Sequence, residues 1–312
     1  MKRFVSKLLL FILIIVVVDV VVGLGLDYLT SQITIGGQGR DNYIANIATE
    51  DILVLGSSRA VHHYNAQMIE DSIGMRCYNC GDDGAGIILS YGRLLMIKER
   101  HQPQIIIQDV YPDFDLMVND NHKYLGWLKS HYNNKKLHPI FESVDKKERF
   151  KMVSHLYRNN SRFLQNIIVF VTGRANDEGV KGFRPNKGHL DRMKIKEERI
   201  EQKRYEYDTI KLEYINKLID LADKSELVFV VSPIWYGMDS VQFQPLRDLC
   251  EKRGVCFIDF SNNPKYIHND EYFKDGKHLN NIGADEFTKD LIVLLKKNEA
   301  KNNSCNNSSC VP

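Results

Sequence analysis

The chain has 312 residues, of which 43% are hydrophobic, and it contains only 20 glycines and 8 prolines. This composition is typical of a folded protein and excludes a disordered or low-complexity chain. The formal net charge is only +2, and acidic residues interrupt basic runs such as KIKEER and KKNEAK. We therefore expect no nucleic-acid partner.

The N-terminal residues have the pattern of a membrane anchor. Lys2, Arg3 and Lys7 form the cytoplasmic N-terminus that we predict for residues 1–7, and the apolar run LLLFILIIVVVDVVVGLGL follows at 8–26. About 20 apolar residues cross a bilayer as a helix, so we expect a transmembrane signal anchor over 8–26. The positive-inside tendency places everything after the anchor outside the cytoplasm, in the periplasm if the host is Gram-negative. No small-x-small cleavage site follows the run, which favours a retained anchor over a cleaved signal peptide.

Asp19 is the one charged residue inside this run. A carboxylate is costly in lipid, so Asp19 either marks a membrane partner for the helix or is a tolerated lone acid. Residues 27–50 are predicted to be a linker.

Five short runs have the composition of buried β-strands: DILVLG (51–56), MRCYN (75–79), QIIIQDV (104–110), ELVFVVSP (226–233) and VCFIDF (255–260). They are almost continuously apolar, which is typical of parallel strands covered on both faces. Helical patterns at 88–101, 205–224 and 243–254 alternate with them. The sequence therefore predicts an α/β domain over residues 51–298, with a flavodoxin-like, three-layer, doubly wound sheet of about five parallel strands.

Residues 111–225 separate the third predicted strand from the fourth, which is too long for one crossover connection. We predict a helical insertion over about 113–204. The helical patterns of this interval lie around 125–132, 146–171 and 193–222, with a loop at 172–190. The insertion either lines a glycan-binding or lipid-proximal cleft or is a helical cap that packs on the sheet. Residues 299–312, which contain Asn-x-Ser sequons, are predicted to be a disordered polar tail.

The chain has six cysteines. Cys77 and Cys80 form a C-x-x-C without a second ligand pair, so we expect a local disulfide or two buried thiols rather than zinc. Redox chemistry is disfavoured because Cys77 lies in a predicted strand, not at a helix N-terminus. The histidines show no H-x-x-E-H-like cluster, and we predict neither a metal nor a cofactor.

Three strand-end loops contain residues suited to acyl transfer. GSSRA (56–60) follows the first strand, NCGDDGAG (79–86) follows the second, and Asp275-Gly-Lys-His278 precedes the C-terminal helical pattern. A serine after a strand, a glycine-rich loop with accessible backbone N–H groups, and a histidine oriented by a carboxylate together supply a nucleophile, an oxyanion site and a base. Each loop alone is ordinary turn chemistry. Together they lie where a parallel sheet binds ligands, beyond the carboxyl ends of its strands.

These residues resemble the SGNH/GDSL-type hydrolase family over about 51–110 and 226–296. Gly56-Ser57-Ser58 is similar to the family's first block, which implies that Ser58 is the nucleophile and that its N–H contributes to the oxyanion hole. The stretch from Asn79 to Gly84 is similar to the N-x-G-x-x-G block, which implies that Gly84 is the second oxyanion donor. The resemblance implies that Asp275 and His278 are the orienting acid and the general base. GSSR-type first blocks are similar to those of membrane-anchored envelope relatives that handle acyl groups on polysaccharides.

One block departs from the family. Its third block is usually G-x-N-D, with the asparagine in the oxyanion hole, but residues 108–115 read QDVYPDFD. We therefore expect a hole made of Ser58 and Gly84 N–H groups, unless Arg59 or a group of the insertion substitutes. We expect Arg59, Asn79, Asp109 and Tyr111 to contact the substrate.

The resulting hypothesis is an envelope-anchored serine esterase or acyltransferase that forms an acyl-Ser58 intermediate. The compartment and the resemblance imply O-acyl, above all O-acetyl, groups of cell-surface glycans as substrate. The alternative is a catalytically weak or inactive SGNH-like envelope protein that binds glycan or a membrane partner.

Overall fold

The computed structural model describes residues 1–160, 162–175, 179–192 and 205–302. The chain forms two compact units, which we call the helical unit (Met1–Ile47 and Asn121–Asp177) and the α/β unit (Ala48–Asp120 and Glu178–Pro312). The α-helices of the described residues are α1 (Lys2–Ser31), α2 (Gly36–Asn46), α3 (Ser58–His63), α4 (Ala66–Ile73), α5 (Ile87–Ile97), α6 (Pro112–Asp115), α7 (His138–Val144), α8 (Glu148–Lys151), α9 (His155–Asn159), α10 (Phe163–Thr172), α11 (Thr209–Leu221), α12 (Gln244–Arg253) and α13 (Asn281–Asn302).

The α/β unit contains a five-stranded parallel sheet. Its strands are β1 (Ile52–Leu55), β2 (Cys77–Asn79), β3 (Ile105–Asp109), β4 (Glu226–Val231) and β5 (Cys256–Asp259), in the order β2-β1-β3-β4-β5. The predicted doubly wound α/β sheet is therefore confirmed. In this order β2 lies on one side of β1 and β3 lies on the other, so the direction in which strands are added to the sheet reverses between β1 and β3. Ligands of such sheets bind at that switch point.

Both faces of the sheet are buried, which explains why its strands lack an alternating pattern. On one face Val54, Ile107 and Val230 pack in a cluster with Ile69 of α4 and Phe287 of α13. Their strand neighbours, such as Leu53 and Ile106, point to the other face and are also fully buried. The sheet thus lies between two layers of helices, with α5 and α11 packed against each other as one pair.

Helix α1 has 30 residues and includes the whole apolar run that we predicted as the anchor. It is the one helix of the described residues that is long and apolar enough to cross a membrane. The segment predicted as a linker contains α2. The Asp19 carboxylate accepts hydrogen bonds from the Ser154 hydroxyl and from the backbone N–H groups of His155 and Leu156, within the helical unit.

The insertion is helical, but its elements are shorter than expected. The pattern at 125–132 forms only 3-10 turns at Asn121–Leu125 and Lys129–His131. The pattern at 146–171 is divided into α8, α9 and α10, because Ser154 caps the start of α9 and α10 starts afresh at Phe163. In the third pattern, residues 193–204 lie outside the described residues, and α11 starts only at Thr209, where Asp208 caps it. The predicted tail began at residue 299, but residues 299–302 belong to α13, and the rest of the tail lies outside the described residues.

Cys77 and Cys80 are buried thiols and are not joined in a disulfide. Of the two alternatives for the C-x-x-C, the structure therefore has two buried thiols. Burial raises the pKa of the Cys77 thiol well above its usual range, so it stays protonated at neutral pH.

Candidate active site

The turn after β1 places one serine inside the protein and the next one at the surface. Gly56 adopts a φ of 139°, and a Cβ there would lie 2.9 Å from the backbone oxygen of Asp109, so the turn requires glycine. Ser57 is fully buried and caps α3, its hydroxyl accepting a hydrogen bond from the Arg59 N–H at 3.3 Å. Ser58 is the first residue of α3 and is partly exposed. Of the two serines, Ser58 is thus the one with the exposed hydroxyl.

The structure brings Ser58, His278 and Asp275 together. The Ser58 Oγ lies 2.9 Å from His278 Nε2. On the other side of the ring, His278 Nδ1 lies 3.0 Å from Asp275 Oδ2. Because a carboxylate can only accept, Nδ1 carries the proton and Nε2 is left to accept from the Ser58 hydroxyl.

Asp275 is held in its ionised form. Its Oδ1 accepts the backbone N–H groups of Lys277 at 2.8 Å and His278 at 2.9 Å. Partial burial opposes the charge, but the hydrogen bonds from the His278 ring and from these N–H groups outweigh it and lower the pKa of Asp275. The carboxylate therefore fixes the ring and stabilises a positive charge on it.

Most backbone N–H groups of the loop after β2 are already paired. The N–H of Gly81 donates to Asn79 Oδ1 at 3.0 Å, and that of Asp82 donates to the Gly56 oxygen at 3.0 Å. Within the described part of the chain, no group accepts from the N–H of Ser58 or of Gly84. These two donors, predicted from the resemblance, remain available to a developing oxyanion.

Asn79, predicted to contact substrate, is fully buried. Its Nδ2 donates to the backbone oxygens of Ala60 at 2.6 Å and Tyr64 at 3.0 Å, while its Oδ1 accepts from Gly81. All of these partners belong to α3, to the residue after it, or to the β2 loop. Asn79 therefore ties the loop of Gly84 to the helix of Ser58 and does not reach a substrate.

Arg59 and Asp109 are also buried, with side chains 2% and 0% exposed. The Asp109 carboxylate ends β3, where the family's third block would lie, and accepts from the Tyr64 hydroxyl at 2.7 Å. Burial raises the pKa of Asp109, against the opposing effect of the Arg59 guanidinium, whose Nε lies 3.8 Å away. Arg59 also donates to the backbone oxygen of Ser232 and lies 5.3 Å from the centre of the Tyr111 ring. These two residues form a buried pair beneath the site, whereas Tyr111 keeps 7% of its surface exposed.

Sequence reasoning missed two histidines on α3. His62 lies with its ring centre 5.9 Å from that of His278, and its Nε2 is 3.1 Å from Asp83 Oδ1. His63 is fully buried: its Nε2 accepts the Leu279 N–H at 3.0 Å, and its Nδ1 lies 2.9 Å from Ser232 Oγ. For His62 the sequence signal was its position in SRAVHH. It follows Ser58 by four residues, and residues four apart lie on the same face of a helix.

Burial, reinforced by the nearby Arg59 guanidinium, lowers the pKa of His63 well below its usual range. The ring is therefore neutral and accepts from the backbone of the residue that follows His278.

In the helical unit, ligand atoms of His122, Asp145 and Glu148 lie within 4.8 Å of one another. Lys151 Nζ already lies 2.6 Å from Glu148 Oε1 and supplies the positive charge that a cation would bring. We assign no metal to this group.

No protein-family model and no curated protein matches the chain. Several solved structures are similar to it, including the following two. One is described as a "putative platelet activating factor" from Streptococcus pneumonia, with 12% identity, a TM-score of 0.39, and coverage of 81% of this chain and 89% of that one. The other is a "putative acylhydrolase" from Bacteroides fragilis, with 12% identity, a TM-score of 0.37, and coverage of 82% and 95%. At 12% identity these similarities identify neither an activity nor a substrate for this chain.

Proposed function

We propose that the chain is a membrane-anchored SGNH-type serine hydrolase or acyltransferase in which Ser58 is the nucleophile. The observation that carries the proposal is the hydrogen-bonded series from Ser58 Oγ through the His278 ring to Asp275, at 2.9 and 3.0 Å. The series lies at the carboxyl ends of the strands, and the N–H groups of Ser58 and Gly84 donate to no described group. Nucleophile, base, orienting acid and oxyanion donors are then all present.

The reaction begins when Ser58 Oγ attacks the carbonyl carbon of an ester and His278 Nε2 takes the hydroxyl proton. The carbonyl oxygen becomes an oxyanion, which accepts from the N–H groups of Ser58 and Gly84. His278 then gives its proton to the departing alcohol as the carbon–oxygen bond breaks, leaving an acyl-Ser58 ester. His278 then deprotonates a water or sugar hydroxyl, which attacks the carbonyl carbon of this ester. The bond from that carbon to Ser58 Oγ breaks, His278 returns the proton to Ser58 Oγ, and the acid or the acylated sugar leaves.

General-base catalysis by a positioned histidine contributes roughly 10²–10⁴-fold in rate. One oxyanion donor contributes a further ~10²–10³-fold. The proposed hole has two backbone donors and lacks the asparagine of the third block, so it lacks the contribution of that third donor. Asp109 does not replace the asparagine, because it is buried and accepts from Tyr64.

The residues beneath the site act as positioning residues in this proposal. Asn79 fixes the Gly84 loop against α3, and Arg59 with Asp109 supports the turn that carries Ser58. Tyr111, with Lys277 Nζ 5.6 Å from its ring centre, is the member of the predicted substrate-binding set that we keep as a substrate contact.

For the substrate we propose O-acyl groups, above all O-acetyl groups, of cell-surface glycans. Two features support this choice: the apolar helix α1, which suits anchoring at the cell envelope, and the resemblance of GSSR to the first block of envelope relatives. A water acceptor makes the protein an esterase and a sugar acceptor makes it a transferase. The absent third-block asparagine is the observation that favours the competing hypothesis of an inactive glycan-binding protein.

Trapping with a fluorophosphonate tests the nucleophile. We expect the wild-type chain to be labelled, Ser58→Ala to be unlabelled and His278→Ala to be labelled far more slowly. Ser57→Ala is the matched control, because it removes the adjacent hydroxyl and costs only a helix cap of about 1 kcal/mol. Equal labelling of the wild-type and Ser58→Ala proteins would reject Ser58 as the nucleophile.

A further inference from the structure

Helix α9 of the insertion is docked on one face of α1. Asp19, Gly23, Asp27 and Thr30 recur every three or four residues and therefore share that face. A Cβ added at Gly23 would lie 2.1 Å from the Cβ of His155, so the contact requires glycine. Small residues allow this kind of close helix approach in membranes.

Polar groups on both sides of Gly23 hold α9 in place. Asp19 accepts from the N–H groups of His155 at 3.0 Å and Leu156 at 3.2 Å. Asp27 Oδ2 lies 2.8 Å from His155 Nδ1, and Asp27 Oδ1 accepts from Asn159 Nδ2 at 2.6 Å. The acid that is costly in a membrane helix thus has its partners in the same chain.

This docking places α9 beside the apolar run of α1. His155 lies at the level of Gly23, and Gly23 lies ~5 Å along the helix axis from Leu26, at a rise of about 1.5 Å per residue. The start of α9 also contacts Asp19, which lies ~10 Å before Leu26 along the same axis. If α1 crosses a bilayer, the start of α9 therefore lies among the acyl chains, below the headgroups of that leaflet.

The residues around this point expose apolar side chains. Phe150 is 65% exposed and Val153 is 72% exposed, and the exposed Leu156 follows at the start of α9. The exposed basic residues Lys147 and Arg149 lie three residues and one residue before Phe150 in the chain. A basic and aromatic surface of this kind is typical of protein segments in a bilayer interface.

Helix α10 continues the pattern. Its exposed residues Leu164, Ile168 and Val171 share one face. Asn166 lies on the opposite face and donates to Thr30 Oγ1 of α1 at 3.3 Å. The apolar face of α10 is therefore directed away from α1.

We define Phe150, Val153, Leu156, Leu164, Ile168 and Val171 as the juxtamembrane surface. We propose that this surface is inserted into the lipid leaflet at the C-terminal end of the α1 span. Lys147 and Arg149 then reach the phosphates of anionic headgroups, while the apolar side chains contact acyl chains. The occupant is the lipid of the bilayer that α1 crosses, because Asp19 and Gly23, which contact the start of α9, lie within the apolar run of α1. The proposal rests on α1 crossing the bilayer and is independent of the chemistry at Ser58.

The test uses the full chain in vesicles of phosphatidylcholine and phosphatidylglycerol whose acyl chains carry bromine. Phe150→Trp introduces a reporter, and Val241→Trp, at a residue that is 58% exposed in the α/β unit, is the matched control. The emission of Trp127 and Trp235 is subtracted with the wild-type protein. We expect the brominated lipid to quench the reporter of Phe150→Trp and aqueous iodide to quench that of Val241→Trp.

Two results would overturn the proposal. In the first, iodide quenches the two reporters equally and brominated lipid quenches neither. In the second, the reporter of Phe150→Trp is shielded from both quenchers and becomes accessible on dilution in lipid, which would identify a second copy of the chain as the occupant.

Adding Gly23→Leu to Phe150→Trp tests whether the contact between α1 and α9 holds the surface in the lipid. We expect the loss of α9 docking to reduce lipid quenching while the chain stays in the vesicles. Unchanged lipid quenching would overturn the role of the contact between α1 and α9.

Discussion

Ser57 and Ser58 are neighbours in the chain with different surroundings. Ser57 is buried as a helix cap, and Ser58 faces His278 at 2.9 Å. From the sequence, the choice between them came from a family pattern, because the residue at which α3 starts decides which hydroxyl is exposed. Likewise Asn79 and Asp109 were located correctly at strand ends, but their burial depends on contacts with Tyr64 and Ala60 that no local pattern encodes.

The buried His63 predicts a pH dependence of stability. Its pKa is lowered in the folded protein, so between that value and about 6.5 the unfolded chain binds a proton that the folded chain does not. The contribution of His63 is therefore fully present above pH ~6.5 and is lost as the pH falls below it. We expect His63→Gln, which keeps an acceptor for the Leu279 N–H, to lose this part of the pH dependence.

The urea midpoints of the wild-type and His63→Gln proteins measure this pH dependence. They are determined from pH 5 to pH 8, at pH values about one unit apart. Burial raises the pKa of Asp115 to about 7, which makes stability fall as the pH rises towards that value. This opposite effect is the same in both proteins and cancels in the comparison. Parallel curves for the wild-type and His63→Gln proteins would contradict the prediction.

At the scale of elements, the turn between β1 and α3 depends on Gly56. An alanine there would need a φ of 139° and would place its Cβ 2.9 Å from the Asp109 oxygen. We expect Gly56→Ala to displace Ser58, abolish fluorophosphonate labelling and lower the denaturation midpoint.

Gly74 provides the control, because it also has a positive φ, of 80°, but has no atom within 4 Å of an added Cβ. Gly74→Ala should cost only the backbone strain of roughly 1–2 kcal/mol and leave the labelling rate unchanged. Equal losses of labelling in both variants would show that the site does not depend on the packing of this turn.

The strands were predictable because a parallel sheet buried on both faces needs short, continuously apolar runs. The helices of the insertion were harder to predict from the sequence. A helical period extends over residues 146–171, yet Ser154 accepts from the Tyr157 N–H and starts a new helix there. A side chain that bonds its own backbone interrupts a helix without changing the hydrophobic pattern.

At the scale of the whole molecule, α1 and the basic residues before it predict a single-pass topology. We expect the chain to remain in the membrane fraction after alkaline extraction. Protease added to intact cells, or to spheroplasts if the host is Gram-negative, should digest the α/β unit, since the positive-inside tendency keeps Lys2, Arg3 and Lys7 in the cytoplasm. Digestion only after cell lysis would reverse the predicted orientation.

Asp19 illustrates how far the sequence predicts contacts between helices that are distant in the chain. A carboxylate in an apolar run indicates that a partner is needed, but the partners of Asp19 lie at Ser154, His155 and Leu156, far along the chain. Such a contact depends on how distant helices pack, and no local pattern contains it.

The most direct measurement of the central proposal is the hydrolysis of p-nitrophenyl acetate by the full chain in detergent, beside Ser58→Ala and His278→Ala. We expect activity in the wild-type protein and its loss in both folded variants, by roughly 10²-fold or more for His278→Ala. Wild-type rates in either variant would contradict the assignment of Ser58 as nucleophile and His278 as its base.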